Sequence, residues 1–438
     1  MARFLIGTLP VVGHINPILP IVRELVSRGH AVQWYTGEQF RLKVESSGAT
    51  WRPMKRTTTY GAQGMEVYPE RQALKGVDRV KWDIEKVFIP AAAGQADDLA
   101  EILQDFPADA ILADTMFLGA RFLSERNGGP PWAVFNFTVF PNPAATGDTA
   151  PVGMGLPPAE NVVARTRNKG LHWLADNVLF KQIHQGYREA RAAYGLPEGP
   201  QTLLDGVFSP YLWLQSTAPS FEYPLPEIPP QVHFIGASLP DPAPSFAVPS
   251  WWPEVERKAR PVVLLAQGTV AIDMDDLIKP ALRALADEPV LVVATTSGSD
   301  LGMEIPGNAR IASFIPYDRL MPHVDVLVTN GSYGTVHFGL THGVPIVASG
   351  MTEDKPEICE RVAWSGAGIR VKGDLPKEEH IRQAVRLILN EPSFRNEAGR
   401  IQSDLQKHDG PKEAATLLEE LARTGKPVTT PIQPMGKR

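Results

Sequence analysis

Apolar and polar positions along the chain follow two alternating periods. Residues Arg3 to Thr8 form a short apolar run of the kind a buried strand shows, and a loop carrying Pro10 and Gly13 follows. The next stretch, about Pro17 to Arg28, places Leu19, Val22 and Val26 on one helical face. Asn16 is suited to cap that helix, Pro17 to occupy its first position, and Gly29 to end it. Ala31 to Tyr35 reads as the next strand, and Ala110 to Ala113 and Trp132 to Phe137 as later strands of the same sheet. Strands alternating with helices predict parallel pairing and a doubly wound α/β sheet.

Three stretches break the rhythm. Thr58 to Ala93 is mixed in character and aromatic-rich, and Trp173 and Phe180 sit in a second irregular insertion. Such insertions on a regular scaffold are where ligand specificity usually resides. From Phe221 to Pro253 prolines are too dense for a helix or sheet interior, which predicts an interdomain linker. Beyond it the pattern restarts with apolar runs at Pro261 to Ala266, Val290 to Ala294, Val324 to Val328 and Val344 to Val347. The expected organisation is a first domain over 1–220, a linker over 221–255, a second α/β domain over 256–410, and a C-terminal helix and loose tail over 411–438. The halves share a rhythm but no sequence repeat.

Length supports this division, because 438 residues exceed one compact α/β core. A net charge of −6 with no basic stripe argues against a nucleic-acid partner. The single cysteine, Cys359, allows no intramolecular disulfide and suits a reducing compartment. No apolar run is long enough to span a bilayer. The opening apolar run is interrupted by Pro10, Gly13, His14 and Asn16, unlike a signal peptide, so a cytoplasmic location is expected.

In open α/β sheets ligands bind at the carboxyl ends of strands, and three loops sit at such ends. The first, Gly7 to His14, projects a histidine whose ordinary pKa suits acceptance of a hydroxyl proton; the alternative is a histidine at a helix terminus without a catalytic role. The second ends at Asp114, which either orients His14 through a hydrogen bond or caps a helix starting near Thr115. The third, Asn330 to Thr335, joins a strand end to a helix through small residues. Its free N–H groups and helix dipole suit a diphosphate.

Taken together, Gly13-His14 with Pro17, Phe314-Ile315-Pro316-Tyr317, Asn330 to Thr335, Gly343-Val344-Pro345, and Asp354-Lys355-Pro356 with Gly366-Ala367-Gly368 resemble the UDP-glycosyltransferase superfamily. These are family 1 inverting glycosyltransferases, and the resemblance is to their bacterial small-molecule type. The resemblance is strong over about residues 261 to 370 and weak in the N-terminal motif. It implies a GT-B fold of two Rossmann-like domains facing across a cleft, a nucleotide-sugar co-substrate (UDP-glucose favoured, a TDP sugar as alternative), and no further cofactor or metal.

By the same resemblance, His14 is the general base and Asp114 its partner. The donor site comprises Gly13, Gly268, Thr269, Phe314, Ile315, Asn330, Gly331, Ser332, Gly334, Thr335, Asp354 and Lys355. Phe314 would stack on the nucleobase, Thr335 would meet a phosphate, and Asp354 and Lys355 would hold sugar hydroxyls. Asn330 and Ser332 stand where the family usually has His and Gly, and Phe338 where it often has a ribose-binding Glu. Tyr317 and Lys355 each replace a Gln. Lys355 is expected to restore the positive charge that Asn330 lacks.

Other features carry less. Asp273-Met274-Asp275 has metal-binding spacing but also suits a helix start. His337 and His342 read as packing or surface residues, Cys359 as inert, and Trp251-Trp252 as linker packing. Phe88, Phe117 and Phe137 are either acceptor pocket or core. The acceptor is expected to be a small hydrophobic phenol or natural product, with phenols favoured because they deprotonate more easily than alcohols. The rivals are an epimerase or lipid-linked transferase on the same fold, and a non-catalytic nucleotide-sugar-binding or partner-activating protein. A nicotinamide dehydrogenase is disfavoured, because neither half of the chain offers G-x-G-x-x-G after its first strand.

Overall fold

The computed structural model describes residues 1–57, 68–74, 76–141, 146–225, 228–242, 246–267, 273–373 and 376–430. They form two parallel sheets. The first has the order β3-β2-β1-β4-β5-β6-β7, built from Arg3–Gly7 (β1), Ala31–Thr36 (β2), Thr50–Pro53 (β3), Ala110–Asp114 (β4), Trp132–Asn136 (β5), Leu212–Gln215 (β6) and Val232–Phe234 (β7). The second has the order β10-β9-β8-β11-β12-β13, from Val262–Ala266 (β8), Leu291–Thr295 (β9), Ala309–Ala312 (β10), Val326–Thr329 (β11), Ile346–Ala348 (β12) and Gly368–Arg370 (β13). Central strands β1, β4, β5 and β8 are buried almost throughout, as strands covered by helices on both faces must be. Strand order reverses beside β1 and β4 in one sheet and β8 and β11 in the other, which opens a crevice at the carboxyl ends of those strands.

Five helices concern the site: Val12–Ile15 (α1), Leu19–Ser27 (α2), Tyr333–Thr341 (α3), Lys355–Trp364 (α4) and Gly410–Thr424 (α5). Asn16 does not cap the helix after β1. The chain makes a separate turn, α1, that ends at Asn16, and α2 starts at Leu19 with Pro20 in its first turn. Asn16 Oδ1 instead accepts from Lys43 Nζ at 2.5 Å. The proline-dense stretch expected to be linker contributes β7, whose three residues pair with β6 at the sheet edge and place no proline inside the ladder. The insertion after β3 is largely helical where described, with the ion pair of Arg71 and Asp83 (2.6 Å) largely buried. Trp252 is buried in the second domain's core and Trp251 packs against it.

The two domains are stitched together at several places. Val139, Ala218 and Phe221 enter the second domain's core. In the other direction α5 returns to the first domain, where Ala414, Ala415, Leu418 and Leu421 join the core under β1 and β4. The expected loose tail is docked as far as it is described: Val428 is buried and its N–H donates to the Tyr211 carbonyl at 2.9 Å. On α4, Arg361 donates to Glu222 at 2.7 Å and to Glu357 at 2.9 Å, while Tyr223 lies 4.1 Å beneath its guanidinium.

Candidate active site

Strand β1 ends in a loop that turns at once into α1, and α1 carries His14 toward the end of the neighbouring β4. There Asp114, with its side chain fully buried, lies with Oδ2 3.1 Å from His14 Nδ1. The ring N–H direction falls outside hydrogen-bond alignment, so Nδ1 is buried at ion-pair distance without an aligned acceptor. Asp114 is itself held firmly. Oδ2 accepts the Leu9 N–H at 2.7 Å and Oδ1 the Met116 N–H at 3.0 Å. Asp114 therefore pins the loop carrying His14 and caps a local turn; the following helix begins later, at Gly119. The His14 side chain keeps 19% of its surface, and its ring meets Phe137 edge-on at 4.8 Å. Gly13, beside it in α1, is exposed.

The opposite wall comes from the second sheet. After β11 the chain turns through Asn330-Gly331-Ser332 into α3. Gly331 has φ 83°, and a Cβ there would lie 2.6 Å from Cys359 Sγ, so the turn requires glycine. Asn330 is used internally, donating to the Gln267 carbonyl at 2.6 Å and accepting the Ser332 N–H at 3.2 Å. Its side chain holds the turn's shape where a phosphate contact was expected, and the Ser332 N–H is likewise engaged. Helix geometry leaves the N–H groups of Tyr333, Gly334 and Thr335 without intrahelical acceptors, which suits an anion. Gly334 is exposed and Thr335 buried.

Asp354 stands at the start of α4, and Thr138, next to Phe137, donates a hydrogen bond to its Oδ2. Burial raises the Asp354 pKa above the ordinary value, partly offset by the Thr138 bond. Lys355 Nζ donates to Thr352 Oγ1 at 2.9 Å and to Glu353 at 2.5 Å, so its charge is already partnered beside the site. Phe314 presents 75% of its surface, as an open stacking face would, while the Ile315 side chain is buried in the core. Tyr317 and Phe338, two departures from the family pattern, pack against each other edge-on at 5.5 Å. Gly268 and Thr269 lie outside the described residues.

Of the three aromatics weighed as acceptor pocket, Phe117 is core, 3% exposed and packed on Tyr35. Phe88 is half-buried against the first domain's core, and Phe137 alone touches the histidine. Asp275 pairs with Lys279 at 2.9 Å and Asp273 caps its N–H, while no cluster of three potential metal-ligating His, Cys, Asp or Glu residues occurs among the described residues. His337 is fully buried, and burial pushes the Cys359 thiol up to about 12. Sequence reasoning missed Asn136, Gln215 and Tyr333, buried polar residues beside the Phe137–Thr138 turn: Asn136 and Gln215 belong to no spaced motif, and Tyr333 sits within the Asn330 to Thr335 turn without a role of its own.

Residues 277–421 match the family model "Erythromycin biosynthesis protein CIII-like, C-terminal domain". The chain is 43% identical over 424 residues to 4'-demethylrebeccamycin synthase of Lentzea aerocolonigenes, covering 96% of this chain and 99% of that one. The chain belongs to the family 1 glycosyltransferases. This glycosyltransferase is also 31% identical over 435 residues to UDP-glucosyltransferase B1 of Starmerella bombicola, covering 94% and 97% of the two chains. In fold it matches the calicheamicin glycosyltransferase with a TM-score of 0.72 at 21% identity, covering 97% and 99%. A spinosyn rhamnosyltransferase complexed with thymidine diphosphate matches with a TM-score of 0.67 at 18% identity, covering 95% and 100%. The two parallel-sheet domains are thus those of the GT-B fold, and the enzyme is a natural-product-type transferase that takes a sugar from a nucleotide sugar. No helix among the described residues is long and apolar enough to cross a membrane.

Proposed function

We propose that this glycosyltransferase transfers a hexose, with UDP-glucose the favoured donor, to a hydroxyl of a small hydrophobic, phenolic acceptor, inverting the anomeric centre with His14 as general base. The observation that carries the reading is the approach of His14 Nδ1 to the buried Asp114 Oδ2, 3.1 Å away at the end of the next strand. A slight ring rotation turns this approach into a hydrogen bond that fixes the tautomer and stabilises the imidazolium formed as the proton is taken. Nδ1 is buried, so the exposed part of the ring lies elsewhere and is the part left for an acceptor hydroxyl. The acceptor oxygen attacks the anomeric carbon in line as its proton moves to His14, and the nucleoside diphosphate leaves. Its charge meets the free amides at the start of α3, a preorganised electrostatic site. Asp354 accepts from a sugar hydroxyl. The nucleotide sugar is a co-substrate and no separate cofactor or metal is invoked. UDP-glucose rests on the names of relatives, and the thymidine diphosphate in a solved neighbour makes TDP-glucose the other donor to test.

The test is incubation with UDP-glucose or TDP-glucose and a panel of phenols, read by mass spectrometry, with His14→Ala alongside. A hexose mass shift is expected, and in the variant a fall in kcat of roughly 10²- to 10⁴-fold with the donor KM kept. Undiminished turnover of a phenol by His14→Ala would remove the histidine from the mechanism.

A further inference from the structure

Asn136 and Gln215 stand side by side at the carboxyl ends of β5 and β6, both without solvent exposure. Asn136 Nδ2 donates to Gln215 Oε1 at 2.8 Å and to the carbonyls of Thr138 and Val139 at 3.0 and 3.1 Å. Gln215 Nε2 donates to the same Thr138 carbonyl at 2.7 Å, and its Oε1 also takes the Trp213 indole N–H at 3.1 Å. From the end of β4, the Thr115 hydroxyl donates to Asn136 Oδ1 at 2.7 Å. Three neighbouring strand ends thus hold the turn after β5 by its backbone. That turn sets the Phe137 ring against His14 and the Thr138 hydroxyl on Asp354.

The second domain reaches into the same network. Tyr333, the first residue of α3, donates its hydroxyl to the Ser216 carbonyl at 3.2 Å and lies 3.4 Å from Gln215 Nε2. One turn on, His337 meets the Thr217 hydroxyl at 2.8 Å. The helix start that offers N–H groups to a diphosphate therefore also carries the phenol that touches the network beneath the Phe137–Thr138 turn. Packing alone needs no hydroxyl here, since an apolar ring would fill the same space.

We propose that Tyr333, Gln215 and Asn136 form a positioning unit that couples the placement of the donor-binding helix to the alignment of the Phe137–Thr138 turn against His14. The unit touches no reacting atom and acts through that turn. Its effect on rate rests on the reading of His14 as base. Displacement of a reacting group by a fraction of an ångström is enough to slow a reaction, while uniform donor binding is untouched.

Tyr333→Phe is the decisive variant, because it keeps the ring and removes only the hydroxyl. The expected result is a kcat lower by roughly tenfold, with donor KM within about twofold and the thermal midpoint unchanged within about two degrees. Added to Gln215→Leu, the same change should cost little more, because both act through one network. A kcat within twofold of the parent, full additivity of the pair, or a loss of kcat matched by an equal rise in donor KM would each overturn the proposal. Hydrogen exchange separates failure of this inference from failure of the base assignment. In the donor-free enzyme, Tyr333→Phe should speed exchange in a peptide spanning residues 132–141 while distant peptides keep their rates. Unchanged exchange there overturns the coupling even if His14 proves to be the base. Faster local exchange supports it even if no acceptor is turned over.

Discussion

At His337 the surroundings remove a charge that histidine often carries. Burial pushes its pKa from 6.5 down to about 4, partly offset by a hydrogen bond to the Tyr333 carbonyl. The unfolded chain, titrating near the ordinary value, takes up the proton first. The stability gained from a neutral His337 is therefore complete above about pH 6.5 and is lost as pH falls toward 4, by roughly 3 kcal/mol at the lower end. His337→Gln should lower the urea midpoint at pH 7.5, through loss of the Thr217 contact, yet flatten its decline between about pH 6.5 and 4.5. Equal slopes in the two proteins would show that His337 is not the group responsible.

Single elements concentrate the interface energetics. On α4, Arg361 faces two carboxylates, and each has other donors: Glu222 accepts the Phe140 N–H at 3.0 Å and Glu357 the Gly155 N–H at 2.7 Å. Burial raises the Glu222 pKa despite the guanidinium. Arg361→Leu would leave both acids buried without a counter-charge and should destabilise by about 3–5 kcal/mol at pH 7. Part of that loss should be recovered in Arg361→Leu with Glu222→Leu; urea unfolding of both variants checks it, and a loss under about 1 kcal/mol would mean water reaches the cluster. This ion cluster, like the Asn136–Gln215–Tyr333 network, was not legible in the sequence. Its members come from distant segments, 139 residues apart for Glu222 and Arg361 and 118 for Gln215 and Tyr333. Their burial removes any surface pattern. His14, Asp114 and the Gly331 turn were legible, because a strand run followed by a loop marks the carboxyl end of a strand. Strands β1, β4, β5 and β8 announced themselves by unbroken apolar runs, whereas β6 (Leu212-Trp213-Leu214-Gln215), fully buried but only four residues long, did not. Edge strands such as β3 (Thr50-Trp51-Arg52-Pro53) and β7 did not, since an edge buries too few side chains to leave a period.

Over the whole molecule, the division into two halves holds for the sheets but not for the chain. Strand β7 carries the first sheet into the expected linker, and α5 crosses back to lie on α2, with Glu419 accepting from Arg28 at 2.9 Å and contacting His30 at 2.7 Å. Leu418→Asp puts a charge into the first domain's core, so it should destabilise that domain by several kcal/mol, roughly 3 or more. Limited proteolysis followed by mass spectrometry should show new cuts among β1 to β5 before any within β8 to β12; cuts confined to the second sheet would deny α5 this role. The return of α5 also bears on how the protein is made. A ribosome delivers the first sheet early and the whole second sheet next, and only then the helix that covers α2. The nascent first domain therefore waits, with an apolar strip uncovered, through the synthesis of its neighbour, and exposed apolar surface of that kind is what makes a partly made chain prone to aggregate.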